Sequence, residues 1–348
     1  GALGSYDLAG TRPVTVDTIY RISSLTKPIL ATAALILVDR GVLAIDEPID
    51  RLLPELADRR VLADPRGPLD VTVPVRRSVI VEDLLTSRLG IGWDFGAAPS
   101  FDQPVMNRLA ELGLGVGPPR PQASPPTDEW LSLLATVPLE RQPGERWLYD
   151  ASYDVLGALV ERAGGGRLGD VLDELVFAPL GMVDTGFAVV DAGADRLGDC
   201  FAFEDGELVV YDPADGEWRS RARRDAGNGG LVSTVVDYVR FAHSLLAGEL
   251  LSPDRQTAML TNHLTAEQLA ASAPEPGGAV GWGYGLGVRV VPGDVEPVGA
   301  YGWEGGLGAT WHTDPATGQI AVLCTNTAWL DPTGARIRDA FLAAAFTS

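Results

Sequence analysis

The stretch Ile29–Val38 carries no charge and reads Ile-Leu-Ala-Thr-Ala-Ala-Leu-Ile-Leu-Val, with Pro28 before it and Asp39-Arg40-Gly41 after it. Alanine and leucine favour a helix here. Pro28 is tolerated only in a first turn, and Gly41 is placed as a C-terminal cap. The run is apolar almost all round rather than along one stripe, so the helix is expected to lie buried between two layers. It is too short to cross a bilayer, which needs about 20 apolar residues. A fold with a buried helix at its centre is therefore required, and 46% hydrophobic residues in a chain of 348 are ample for the core. At about 150 residues per domain, that length suggests two domains or one with a large insertion.

The head of this helix reads Ile22-Ser23-Ser24-Leu25-Thr26-Lys27-Pro28. Of the 27 basic residues, Lys27 is the single lysine and the others are arginines. Arginine keeps its proton in a protein, whereas a buried lysine can release one. Ser24 and Lys27 stand three residues apart and share a helix face. A lysine in a dry site at the positive end of a helix is expected to have its pKa pushed down, which would let it take the proton of the serine hydroxyl. The free backbone N–H groups of a first turn also suit an oxyanion. Ser23 cannot replace Ser24 in this pattern, because Thr26 stands three residues after it. The bland alternative is an N-cap serine and a surface lysine.

Charge and composition remove other classes. The net charge of −20 argues against nucleic acid as a partner and against docking on anionic lipid. The histidines His243, His263 and His312 are too scattered to read as a metal site. Cys200 and Cys324 make no disulfide framework. With no export signal at the start as given, they point to the cytoplasm. Nothing in the sequence reads as an oligomerisation signal.

Elsewhere the punctuation is local. Residues 1–20 read as a strand end and a turn, and Asp46–Asp50 opens a short helix leading to Pro54. Residues 60–130 read as irregular and proline-rich, stiffest at Gly117-Pro118-Pro119-Arg120-Pro121, and are expected to form a cleft rim. Ser152–Ala163, Leu168–Phe177, Val232–Leu246 and Asp331–Phe346 read as helices. Tyr284–Val290, Gly308–His312 and Gln319–Thr325 read as strands, the last two joined by a turn at Asp314–Gly318. Trp282 and Trp311 read as core residues, and His312 as a candidate cleft residue. The glycine cluster Gly281–Gly287 is no dinucleotide loop, because a strand follows where that fingerprint needs a helix.

Six segments, in order, resemble the serine β-lactamase and penicillin-binding-protein superfamily, in particular the branch of class C β-lactamases and family VIII carboxylesterases. They are Thr18–Pro28, Val81–Ser87 (without the usual histidine), Pro143–Tyr149, Pro179–Phe187, Gly229–Thr234 and Tyr301–Gly306. The resemblance implies Ser24 as acyl-forming nucleophile, Lys27 as its base partner and Tyr149 as the proton shuttle to the leaving group. It implies an oxyanion hole from the N–H groups of Ser24 and Gly306. Trp303-Glu304-Gly305 falls where β-lactamases have Lys-Thr-Gly, and Ala151 where class C enzymes have Asn; these positions are expected to face substrate. Glu304 would put a negative charge near the cleft, which disfavours carboxylate-bearing β-lactams.

The implied fold is α/β: a β-lactamase-like sandwich of an antiparallel sheet flanked by helices, with an inserted mainly helical lobe. Residues 1–50 and 190–348 would form the sheet domain, and 51–189 the helical lobe with its proline-rich rim. The implied activity is a serine hydrolase cleaving carboxylic esters of small-molecule ester or acyl substrates, or an acyltransferase, with no cofactor or metal required. Two alternatives stand beside it: a β-lactamase or D-amino-acid peptidase with the same groups, and a catalytically silent binding or scaffold relative.

Overall fold

A computed structural model describes all residues except 97–102, 116, 190, 273–278, 294–295, 330–331 and 347–348. A strand β1 (Tyr20–Arg21) leads through a 3-10 turn, Ser23–Leu25, into helix α1 (Thr26–Asp39). From Thr26 to Val38 every residue of α1 is buried, as a helix apolar on all sides demands. Gly41 takes φ +71° just past its end, the left-handed conformation expected of a glycine after a helix.

The next segment holds more regular structure than its prolines suggest. It contains the hairpin β2 (Arg60–Leu62) and β3 (Thr72–Pro74), then α2 (Val81–Leu85), α3 (Pro104–Glu111) and α4 (Thr127–Ala135). Pro104 sits in the first turn of its helix, where a missing N–H costs nothing, so proline there starts structure rather than breaking it. The rim residues 97–102 and 116 lie outside the described residues. Helix α5 (Ala151–Gly164) follows, then α6 (Leu168–Leu172), which continues through a π turn, Asp173–Phe177, into α7 (Ala178–Leu180).

The remainder builds the sheet. A hairpin of β4 (Cys200–Glu204) and β5 (Glu207–Asp212), not anticipated from the sequence, precedes β6 (Val232–Ser233). The helix expected from Val232 starts later, as α8 (Val235–Ala247). Val232 and Ser233 instead pair with β1, and the Thr234 side chain caps the helix by accepting from Asp237 N at 3.2 Å. After α9 (Pro253–Met259) and α10 (Ala266–Ala271) come β7 (Val280–Trp282), β8 (Gly287–Arg289), β9 (Tyr301–Gly305), β10 (Ala309–Asp314) and β11 (Gln319–Cys324). The strand expected at Tyr284–Val290 is corrected to the pair β7–β8, with the central glycines forming the turn between them. Helix α11 (Pro332–Phe346) closes the chain; Asp331, expected as its first residue, lies outside the described residues.

The last five strands make one antiparallel sheet in the order β11-β10-β9-β8-β7. One hydrophobic cluster extends from Ile22 through α1, α5 and α8 to Trp311 and Cys324, so the helical middle and the sheet share a core. Among the described residues no helix is long and apolar enough to cross a membrane.

Candidate active site

Ser24 lies in the 3-10 turn just before α1, immediately after Ser23, whose φ is +46°. Strand β9 ends against this turn. A Cβ on Gly305 would fall 2.1 Å from the Ile22 carbonyl oxygen, so only glycine fits there. That contact brings the chain entering Gly306 to the Ser23–Leu25 turn. Trp329 N donates to Gly306 O at 2.8 Å.

Lys27 has no solvent exposure. Its Nζ lies 2.9 Å from Ser24 Oγ, 2.9 Å from Asp150 Oδ1 and 2.5 Å from the Asn228 carbonyl oxygen. It also sits 4.6 Å from the centroid of the Tyr149 ring. The spacing of serine and lysine thus does bring the two groups into hydrogen-bond contact. The expected direction of the lysine pKa is corrected, however. Burial pushes the ammonium down, but the Asp150 carboxylate and Tyr149 together hold Lys27 above the ordinary lysine value.

Tyr149 is placed by a two-way backbone pairing with Trp93, each N–H to the other's carbonyl at 2.9 Å. Its hydroxyl accepts a hydrogen bond from Trp303 Nε1 at 2.8 Å. The rings of Phe95, Trp147, Trp282 and Trp303 surround it, with centroids between 5.5 and 6.2 Å away. Phe95 is 47% exposed and carries this aromatic wall to the surface. Trp282 and Trp311 are fully buried, as expected of core residues.

Two groups of the site were not singled out from the sequence. Asp150 follows Tyr149 and supplies the counter-charge to Lys27; its second oxygen accepts from Asn228 Nδ2 at 2.9 Å. Asn228 directly precedes the glycine pair of the fifth segment. The available signal was physical: a lone lysine expected to be buried demands a partner carboxylate, and Asp150 adjoins the tyrosine motif. Ala151, expected to face substrate, opens α5 and leaves the position of a side-chain amide to a methyl group.

Two other expectations are corrected by strand alternation. Trp303 and Glu304 point to opposite faces of β9. Trp303 meets Tyr149, whereas Glu304 forms an ion pair with Arg338 of α11 on the other side of the sheet. Glu304 therefore adds no charge to the cleft. His312 pairs across from Gly302 on that outer face and contacts Glu296, on the side opposite Trp303. Arg289 also pairs with Glu296. Burial alone would raise this carboxyl, but His312 and Arg289 together bring it down to about 2. These groups line a cavity of about 320 Å³.

The proline-rich segment does reach the site. Pro119 Cγ is 3.0 Å from where a Cβ on Gly229 would be, next to Ser23. It is fastened by Tyr211, whose hydroxyl donates to Pro119 O at 3.0 Å and whose ring lies 4.0 Å under the Arg120 guanidinium.

The comparisons fit this arrangement. The sequence matches the family described as Beta-lactamase over residues 1–345. It is 37% identical over 295 residues to Protein Rv1367c of Mycobacterium tuberculosis, covering 83% of this chain and 70% of that protein. It is 33% identical over 353 residues to esterase EstB of Burkholderia gladioli, covering 94% of this chain and 82% of that protein. A mutant of simvastatin synthase from Aspergillus terreus shares the fold with a TM-score of 0.77 at 26% identity, over 99% of this chain and 87% of that one.

Proposed function

The chain belongs to the beta-lactamase family and is a carboxylesterase-like serine hydrolase, and from that premise we propose that it cleaves neutral carboxylic esters through an acyl-enzyme on Ser24. Ester hydrolysis or acyl transfer is the activity of this branch; the finer assignment rests on one observation, the fully buried Lys27 amine 2.9 Å from the partly exposed Ser24 hydroxyl.

The Lys27–Tyr149 pair takes the serine proton as one unit, and one proton has to leave that pair before Ser24 can give up its own. Ser24 Oγ then bonds to the ester carbonyl carbon. The resulting oxyanion is held by the N–H groups of Ser24 and Gly306. Tyr149 passes the proton to the departing alkoxide, and the acyl group remains on Ser24. Water repeats the sequence in reverse, giving its proton to the same pair and freeing the serine; an alcohol in that place makes the reaction an acyl transfer, which likeness to simvastatin synthase supports.

Preference for a neutral ester has two supports. Trp303 stands where β-lactamases carry a cation, and the cationic charge of Lys27 is already balanced by Asp150. A carboxylate-bearing substrate finds no uncommitted cation at the reacting centre among the described residues. Ser24→Ala is expected to lower kcat/KM for p-nitrophenyl butyrate by about a thousandfold or more with the fold intact. Retained turnover in that variant would refute the assignment, and nitrocefin hydrolysis as fast as ester hydrolysis would favour a β-lactamase. A fluorophosphonate that fails to label Ser24 would point to a silent scaffold.

A further inference from the structure

Asp150 is the least conventional residue of the site. It precedes α5 with φ +89° and ψ −66°, a sparsely populated backbone state for a residue with a side chain. The surroundings hold it there. Tyr149 on one side is pinned to Trp93, and Ala151 on the other begins a buried helix. The turn sends the tyrosine ring and the aspartate carboxylate to the same amine from two directions.

The hydrogen bonds around that amine are saturated. An ammonium has three N–H donors, and Lys27 Nζ meets three oxygen atoms, on Ser24, Asp150 and Asn228. Both carboxylate oxygens are also occupied, one by Lys27 and one by the Asn228 amide. Asn228 thus touches both partners, accepting from the lysine through its backbone and donating to the aspartate through its side chain. A lysine that lost its proton would leave the Asp150 charge buried beside a neutral amine, and burial of an unpaired charge is costly.

The other titratable groups near the pair do not relieve it. Asp154 is one turn along α5 and is itself paired with Arg224. Asp225 is bound to Arg167. The Tyr153 hydroxyl donates to Leu85 O, and Glu304 faces the other side of β9 with Arg338.

We propose that Asp150, held by Asn228, is a positioning residue that keeps the Lys27 amine charged and aimed at the Ser24 hydroxyl. The proposal rests on the reading of Ser24, Lys27 and Tyr149 as the reacting groups. It adds that the aspartate next to Tyr149 sets both the direction and the charge of the lysine amine.

The single lysine makes the test direct. Protein labelled with 15N and 13C lysine gives one side-chain Nζ–Cε signal, and its titration reads the charge of Lys27 without reference to activity. The native protein is expected to keep that signal in its ammonium form to pH 10. In Asp150→Asn burial is no longer opposed by a carboxylate, and the midpoint is expected to fall by about two pH units or more. The same variant is expected to lose about ten- to a hundredfold in kcat/KM on p-nitrophenyl butyrate and to shift its pH–rate profile. An unchanged lysine midpoint in the variant overturns the proposal. So does a native lysine that is neutral at pH 8, a result that needs no variant to fold. Should Ser24→Ala keep its activity, the functional reading fails while the lysine titration still reports on Asp150.

Discussion

Two buried carboxylates stand one turn apart at the start of α5, Asp150 and Asp154, and each is paired with a buried cation. Asp150 meets Lys27, and Asp154 meets Arg224 at 2.8 Å. The second pair is structural. Arg224 also donates to Ser124 Oγ and lies 4.5 Å from the centroid of the Trp130 ring, tying α4 and α5 to the loop before Asn228. Burial raises the Asp154 carboxyl, with Arg224 opposing it, so this pair costs desolvation and returns orientation. The first pair differs in its cation. A lysine offers three separate donors, so it can hold a carboxylate, a carbonyl and a serine hydroxyl at once. An arginine presents a planar fork and keeps its proton at all working pH values. Similar burial therefore gives a joint in one place and, in the other, an amine held against the Ser24 hydroxyl.

The sharpest way to break this contrast is to exchange the cations. Lys27→Arg is expected to reduce kcat by about a thousandfold or more, because the fork cannot match the three acceptors and disturbs Ser24. Arg224→Lys is expected to lower the melting temperature while leaving kcat within a few-fold. Loss of turnover in both variants, with both folded, would show that the two pairs act as one network.

A smaller effect separates stability from chemistry. Asp154→Asn leaves Arg224 as a buried charge without its carboxylate and is expected to cost about 3 kcal/mol or more in urea unfolding. Its pH–rate profile should match that of the native enzyme, in contrast to the shifted profile expected of Asp150→Asn. A shift in Asp154→Asn would mean that the farther carboxylate also sets the charge of Lys27.

The smallest effect tests the orientation of β9. Glu304 pairs with Arg338 where both side chains are partly exposed, and such pairs contribute about 0–1 kcal/mol. Glu304→Gln is expected to change ester turnover less than about twofold, as a group facing away from the reacting centre should. A large gain in hydrolysis of anionic esters in that variant would return Glu304 to the cleft.

Local chemistry was legible where it decided local structure. The all-round apolar run with Pro28 before it and Gly41 after it specified α1, and the Asp314–Gly318 turn specified the β10–β11 hairpin, closed by Gly318 N to Asp314 O at 2.9 Å. Short strands with little pattern, such as β6 and the β4–β5 pair, were not legible, because two to six residues carry no period strong enough to outweigh a neighbouring helix. In the site, Ser24 and Lys27 were readable because a helical turn alone brings residues three apart together.

What the sequence determined by itself is thus the buried helix and the serine and lysine at its head, both fixed by bonds and contacts within one turn. The tertiary structure decided which groups surround that lysine and the side of the sheet on which Glu304 falls. The reason is distance along the chain: Asp150 and Asn228 are 123 and 201 positions from Lys27, and a field made by groups so far apart exists only once the core has closed around them.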